Sequence, residues 1–124
     1  MCIRDRTWRA AAVTADQGQL EGWGDTIERM PEPLRAGPYY VLGTAWAHHG
    51  QWEQAALAWL RIPILYPEHR ELAARSLMDA GQSLEKLGQS GEAARLYSEL
   101  VKTYPKTPSE GEARARLGEM MKDE

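Results

Sequence analysis

The chain has 124 residues, a net charge of −3 and 43% hydrophobic residues, which suits a single globular domain with one core. This charge balance does not point to nucleic acid as a partner, because nucleic-acid-binding domains are usually basic. The single cysteine, Cys2, can form neither an internal disulfide nor a cysteine-based zinc site. Because the chain contains no run of 18 apolar residues, we expect no insertion into a membrane.

The first six residues read MCIRDR and resemble a translated sequencing-adapter sequence. We therefore set residues 1–6 apart from the fold prediction as a non-native or disordered leader. On this interpretation Met1 is not the native start, and a signal peptide could lie upstream. The alternative is a genuine short N-terminus.

Seven helices and no strands are predicted along the rest of the chain. Apolar residues recur at spacings of three and four, as in the series Leu77, Ala80, Leu84 and Leu87, and no long segment alternates with a period of two. The predicted helices cover approximately residues 7–16, 19–30, 37–49, 52–64, 70–87, 90–103 and 109–121.

Glycine, serine and proline predict where these helices end and begin. Gly88 is expected to end the fifth helix by adopting a positive φ, and Ser90 is expected to cap the sixth. Pro63 lies inside the fourth helix, where it removes a hydrogen bond to the carbonyl of Trp59. We therefore expect a kink there, or an early end near Ile62.

One phrase of eighteen residues occurs twice in the chain. Gly50 to Pro67 reads GQWEQAALAWLRIPILYP, and Gly88 to Pro105, 38 residues later, reads GQSGEAARLYSELVKTYP. The Gly, the Gln, the Ala-Ala pair, the Tyr and the Pro keep their places. A fixed period of this size is typical of repeat architectures. Each copy predicts a turn followed by the second helix of a hairpin.

The wider pattern resembles the tetratricopeptide repeat. In that pattern, an aromatic residue and a Leu-Gly pair precede a second aromatic residue, followed by Gly, Ala, another aromatic residue and a closing Pro. The first copy consists of Tyr39, Leu42, Gly43, Trp46, Gly50, Trp52, Ala55, Trp59, Ile62 and Pro67. The second consists of Leu77, Ala80, Gly81, Leu84, Gly88, Ala93, Tyr97, Leu100 and Pro105.

The resemblance implies an all-α fold, a right-handed α-α superhelix of about three helical hairpins plus a terminal helix. After the leader, we expect a degenerate repeat at 7–35, full repeats at 36–73 and 74–110, and a terminal helix at 111–124. That helix either caps the stack with its polar side or leaves an apolar face open. The open face would hold Leu117, Met120 and Met121, and copies of the chain could self-associate through it.

The same register predicts how the helices pack. Small residues are expected where the two helices of a hairpin cross closely, at Gly43, Ala55, Gly81 and Ala93. Large residues are expected to fill the space between neighbouring hairpins, at Trp46, Trp59, Leu84 and Tyr97.

No pattern of catalytic or metal-binding residues accompanies the repeats. His48 and His49 are adjacent on a helix and point about 100° apart, so they do not converge on a metal. The glycines form no phosphate-binding motif, and no serine lies in a nucleophile-elbow context. We therefore expect no enzyme activity, no metal site and no cofactor.

The resemblance instead implies a protein or peptide partner on the concave face, which the first helix of each hairpin lines. Tyr40 and Met78 are the expected apolar anchors, among mixed charges. The candidate residues are Tyr40, Thr44, His48, Arg75, Met78, Asp79, Gln82, Glu85, Lys86, Arg116 and Glu119, with Val41, Ala47 and Glu112 beside them. The alternative is that these side chains are merely solvated.

Two other roles stay open at this stage. The chain could be a structural spacer in a bacterial envelope or secretion assembly, or an accessory domain of a larger enzyme. The closing Tyr-Pro and longer connections are similar to repeats of the Tol–Pal coordinator and of outer-membrane-assembly lipoproteins. Localisation stays open between the bacterial periplasm or cell envelope and the cytoplasm.

Overall fold

A computed structural model describes residues 17–122 of the chain, and these residues form helices and no strand. The bounds of the six α-helices are α1 Gln17–Glu28, α2 Ala36–His48, α3 Trp52–Leu65, α4 Arg70–Lys86, α5 Ser90–Thr103 and α6 Pro108–Lys122. The all-helical fold is confirmed. The predicted leader at 1–6 and the predicted helix at 7–16 lie outside the described residues.

The helices pack consecutively, each against the next along the chain. Helices α2 and α3 form one antiparallel hairpin, and α4 and α5 form the next. The first helices of successive hairpins also contact one another, α2 against α4 and α4 against α6. This is the arrangement of a helical solenoid, in which each unit buries its apolar face against its neighbour. None of the described helices is both long and apolar enough to cross a membrane.

The first helix of each hairpin is followed by a glycine with a positive φ angle. Gly50 and Gly88 have φ angles of +73° and +77°, a region that glycine enters without steric cost. The Gly88 amide donates to the Glu85 carbonyl at 3.0 Å, and the next amide, of Gln89, donates to the Leu84 carbonyl at 2.8 Å. This pair of bonds is a Schellman motif, so the predicted stop at Gly88 is confirmed.

Two smaller predictions about helix ends are wrong. Ser90 is the first helical residue of α5 and not its cap: Gln89 takes that position, without a side-chain hydrogen bond. The early end near Ile62 does not occur either, since α3 continues through Pro63 to Leu65. Pro63 lies in the last turn, where one lost backbone bond is tolerated and Tyr66 N still donates to the Ile62 carbonyl at 2.8 Å. A kink at Pro63 stays a prediction.

A short 3₁₀ helix, Glu32–Leu34, joins α1 to α2 and was not predicted. Arg35 follows it and holds the connection in place. Its Nε donates to the Met30 carbonyl at 2.9 Å, and its Nη2 donates to the Glu28 carbonyl at 2.8 Å. These bonds satisfy carbonyls that the end of α1 leaves without helical partners.

The core is built around two pairs of a glycine and an aromatic ring. Gly43 on α2 faces the ring of Trp59 on α3, and Gly81 on α4 faces the ring of Tyr97 on α5. Both rings are buried. The close crossings predicted at these glycines are confirmed. Each of the two rings faces a glycine of its own hairpin, where only glycine leaves room for it. That these rings also fill the space between neighbouring hairpins stays a prediction.

Candidate partner-binding face

The eleven residues predicted to bind a partner lie on α2, α4 and α6, the helices that pack side by side. We call the surface that these residues share the first-helix face. Three belong to α2 (Tyr40, Thr44, His48), six to α4 (Arg75, Met78, Asp79, Gln82, Glu85, Lys86) and two to α6 (Arg116, Glu119). Their use by a partner stays a prediction, but their positions and contacts can be described.

A cleft of about 350 Å³ lies on this face between α4 and α6. Four of the predicted residues meet in it: Arg75, Met78, Asp79 and Gln82. Met78 is only 5% exposed, so it forms the floor of the cleft and offers a partner little apolar surface. The role of Met78 as a projecting anchor therefore has little support.

The opposite side of the cleft comes from the beginning of α6. Of the α6 residues in the cleft, the sequence predicts Glu112 beside the candidates but predicts neither Pro108 nor Ser109. On α4, Glu71 also lines the cleft and is not predicted. The position of the three α6 residues depends on the connection after α5, which brings the first turn of α6 alongside the first half of α4. The opening Pro-Ser of the helix was the only signal in the sequence, and it marks a helix start without indicating a cleft.

Tyr40 and Asp79 bind each other across the border between two hairpins. The Tyr40 hydroxyl donates to Asp79 Oδ2 at 2.5 Å, and the Arg75 guanidinium lies 5.6 Å from the centre of the Tyr40 ring. The Tyr40 ring is also tilted against the ring of Trp59, with 6.2 Å between the ring centres. These contacts tie α2 to α4, so the two side chains are partly used in holding the fold together.

Burial sets the protonation behaviour of this pair. Burial raises the pKa of the Asp79 carboxyl, and the Tyr40 hydrogen bond and the positive charge of Arg75 counteract the rise only in part. The nearby negative charge of Glu112 raises the pKa of Asp79 further. Burial, followed by the bond to Asp79, raises the pKa of Tyr40, which therefore remains a neutral hydrogen-bond donor. An approaching positive charge would relieve the repulsion between the two carboxylates.

A second network joins α4, α5 and α6. Glu85 Oε2 accepts a bond from the Tyr97 hydroxyl at 2.5 Å, and Glu85 Oε1 accepts from Arg116 Nε at 2.8 Å and from Arg116 Nη2. Arg116 Nη1 also donates to Glu119 Oε2 at 2.6 Å. The bonds from Arg116, followed by that from Tyr97, hold the pKa of Glu85 below its usual range. Three predicted partner-binding residues therefore bind one another.

The remaining predicted residues lie away from the cleft. Lys86 Nζ, at the end of α4, is 4.9 Å from the centre of the Trp52 ring at the beginning of α3, a cation–π contact between these two helices. Thr44 Oγ1 donates to the Tyr40 carbonyl at 3.1 Å, within α2. The ring of His48 contacts that of His49 edge-on at 6.2 Å. Within residues 17–122, no group of three or more His, Cys, Asp or Glu side chains is arranged to hold a metal ion.

Comparison with known proteins gives one match. Residues 75–107 match the tetratricopeptide repeat family, and this segment begins within α4, includes α5 and ends before α6. Searches of curated proteins and of solved structures returned no match. The match and the consecutive packing of helical hairpins together support the tetratricopeptide repeat family for this chain.

Proposed function

We propose that the chain is a non-catalytic protein–protein interaction module that takes a peptide segment or a partner helix in the cleft between α4 and α6. Tetratricopeptide repeats generally mediate protein–protein interaction, and the match covers most of the hairpin that supplies one wall of this cleft. The cleft itself carries the proposal. Its volume, about 350 Å³, is enough for a few side chains of a partner.

The charges in the cleft favour a segment that contains lysine or arginine. The lining of the cleft contains three carboxylates, from Glu71, Asp79 and Glu112, but only one guanidinium, that of Arg75. Asp79 is half-buried and already has one oxygen bonded to Tyr40. A cation that entered the cleft would offset this excess of negative charge, and complementary charge contributes mainly to specificity and to the rate of association.

Selection of peptides against the purified chain tests this proposal. We would select binders from a phage-displayed peptide library and measure the affinity of the best peptide by isothermal titration calorimetry. Gln82→Trp places a bulky ring in the cleft and should weaken binding about tenfold or more, which corresponds to about 1.4 kcal/mol. Ser98→Trp, on an exposed position of α5, is the matched control and should leave binding unchanged. Equal affinity for the two variants would refute the cleft as the binding site.

Gln82 is a better probe than Asp79 or Glu85. Reversing the charge of either carboxylate would break the contacts that tie neighbouring helices together. Lost binding could then reflect a damaged fold instead of a lost partner contact. The side chain of Gln82 is exposed, so its replacement changes the cleft with little effect on packing.

One observation favours a second role, a structural spacer. Five of the eleven predicted residues are used in the two networks that join α2, α4, α5 and α6. A rigid spacer needs such links and needs no peptide. Failure of the library to give any saturable binder would favour this role. The similarity of the Tyr-Pro endings to envelope proteins is the basis for placing such a spacer in a bacterial envelope, and a signal peptide in the flanking gene would support that location.

A further inference from the structure

Helix α3 exposes large apolar side chains on the side that faces away from the core. Leu57 is 56% exposed, Ile64 is 72% exposed and Leu65 is 56% exposed. Because residues seven and eight positions apart lie on one side of an α-helix, the three side chains form one surface, which we call the α3 stripe. Trp59 and Ile62, on the opposite side of the helix, are buried in the core. The α3 stripe is therefore additional to the apolar face by which α3 packs.

The second copy of the repeated phrase has polar residues at the three positions of the α3 stripe. The residues that follow 38 positions later, on α5, are all exposed: Arg95, Lys102 and Thr103. Helix α5 packs through buried residues that include Tyr97 and Leu100, without apolar residues at those three places. Packing of the repeat therefore does not require the α3 stripe, and an exposed apolar patch of this kind marks an interaction surface.

A row of carboxylates on α1 lies beside the α3 stripe. Glu21, Asp25 and Glu28 line one wall of a groove of about 280 Å³ between α1 and α3, and Leu57 lines the other wall. Among the described residues that line this groove, Arg61 is the one cation, and its Nη1 lies 3.7 Å from Glu28 Oε1. Three carboxylates and one guanidinium give the groove a net negative charge.

A second pocket lies at the other end of the α3 stripe. Leu65 lines it together with Glu32 and Pro33 of the 3₁₀ helix. Glu68 and His69 also line it, and His69 Nε2 lies 3.9 Å from Glu68 Oε1. Apolar contacts and carboxylates therefore accompany α3 at both ends of the stripe.

We propose that the α3 stripe and the carboxylates of α1 together dock a basic amphipathic helix of a partner protein. The apolar side of that helix lies on Leu57, Ile64 and Leu65, and its lysine or arginine side chains face Glu21 and Asp25. Burial of the stripe supplies affinity, and the complementary charge orients the helix. The groove and the second pocket together extend along about 16 Å of α3, the length of about three turns of a docked helix.

A model basic helix is a suitable probe for this surface. We would use a fluorescent peptide of two heptads, with leucine at positions a, d and e and lysine at the other positions. Fluorescence anisotropy measures its binding to the whole chain, and amide chemical shifts show where it binds. We expect saturable binding, with shifts centred on residues 57–65 and on the carboxylate row of α1. A peptide with glutamate in place of every lysine should bind at least tenfold more weakly.

Replacing two residues of the α3 stripe tests the apolar contact. Leu57→Gln combined with Ile64→Gln should weaken binding at least tenfold, and both side chains are exposed, so packing changes little. The matched control is Ser98→Gln combined with Thr103→Gln at exposed positions of α5, which should leave binding unchanged. Neither pair of substitutions changes the net charge, and circular dichroism checks that both variants fold.

Neutralising two carboxylates of α1 tests the charge contact. Glu21→Gln combined with Asp25→Asn should weaken binding about tenfold at low salt and make it less sensitive to added salt. Glu92→Gln combined with Glu99→Gln removes the same charge from exposed positions of α5 and should leave binding unchanged. Equal loss in the two variants would overturn the proposal, because attraction to the net charge of the chain would then explain binding.

The remaining outcomes separate this proposal from its alternatives. Gln82→Trp fills the cleft between α4 and α6 and should leave binding of this probe unchanged, so the proposed function can fail independently. No saturable binding up to about 1 mM peptide, equal binding by the Leu57 and Ile64 variant, or shifts confined to α4 and α6 would each overturn the proposal. Self-association that the same variant abolishes would overturn it in favour of a second copy of the chain. Broadening of the Leu57 and Ile64 amides by a spin label on Cys2, the single cysteine, would overturn it in favour of the first residues of the chain itself.

Discussion

Replacing Gly43 or Gly81 with alanine is expected to destabilise the protein, whereas the same replacement at Gly118 is expected to stabilise it. All three glycines lie inside α-helices and share one register position. Alanine in a helix interior is favoured over glycine by up to about 1 kcal/mol. The three sites differ in the space available to a methyl group. The sign of the change in the free energy of unfolding therefore shows whether a ring covers the glycine.

The structure allows the magnitude to be worked out at Gly43. A Cβ there would lie 2.5 Å from Cδ1 and Nε1 of Trp59. Because non-bonded carbons prefer separations of about 3.5–4.0 Å, the ring must move by roughly 1 Å. Overpacking of this kind costs about 1–3 kcal/mol. The shift also disturbs the bond from Trp59 Nε1 to the Tyr40 carbonyl, 3.1 Å long, which contributes about 1 kcal/mol. After the gain in helix propensity, the net loss is about 1–3 kcal/mol.

At Gly81 the same argument applies to Tyr97, whose hydroxyl is held by Glu85. At Gly118 no contact opposes the methyl group, so a gain of up to about 1 kcal/mol is expected. Urea unfolding followed by circular dichroism measures the free energy of unfolding for the three variants and the wild type. If Gly43→Ala and Gly81→Ala were as stable as Gly118→Ala, the assignment of the two rings to these glycines would be refuted.

Three further predictions concern single side chains. Ser83 Oγ is buried with no hydrogen-bond partner among the described residues, so Ser83→Ala should raise the free energy of unfolding by about 1 kcal/mol, measured by urea unfolding; a loss of stability would indicate that the hydroxyl has a partner. Lys106 has a φ of +67°, which is strained for any residue with a side chain, so Lys106→Gly should raise the free energy of unfolding by up to about 1 kcal/mol and raise the melting temperature with it. A lower melting temperature would contradict this strain at Lys106. The pKa of Glu85 is lower in the folded protein than in the unfolded chain, so the ionised carboxylate stabilises the fold. This stabilisation is complete above about pH 4.3, the ordinary pKa of glutamate, and is lost as the pH falls through the lower pKa of the folded state. The difference in melting temperature between wild type and Glu85→Gln should therefore shrink between pH 7 and pH 3, and a constant difference would argue against this contribution.

The sequence predicted the helices well because the signals that end them are local. Gly88 and the repeated Tyr-Pro endings act through backbone geometry within a few residues, and no distant contact is needed to interpret them. The errors have local causes too. Ser90 was expected to be the cap because serine favours that position, but the turn fixed by Gly88 gives it to Gln89. The 3₁₀ helix after Pro31 was missed because Arg35, four residues later, stabilises the connection through carbonyls of α1.

The candidate site was predicted less completely. The repeat register identified the helices that form the first-helix face, and Arg75, Asp79 and Gln82 do line one cleft. The register could not show that Glu85 bonds to Arg116, because these residues are 31 positions apart and their pairing depends on how two helices are offset. Nor could it show that Met78 is buried, since the apolar residues of a helix give no direct measure of how far a neighbouring helix covers them.

The contrast between Gly81 and Gly118 shows what the structure adds to a repeat pattern. In the sequence, the two glycines are equivalent, since each follows an apolar residue at the same place in its unit. In the structure, one is covered by a ring and the other is open. A repeat pattern specifies which surfaces a unit offers, but the neighbouring helix determines whether a surface is core or interface. The same register position is therefore core at Gly81 and exposed at Gly118, and this is why alanine substitutions at the two glycines are expected to change stability in opposite directions.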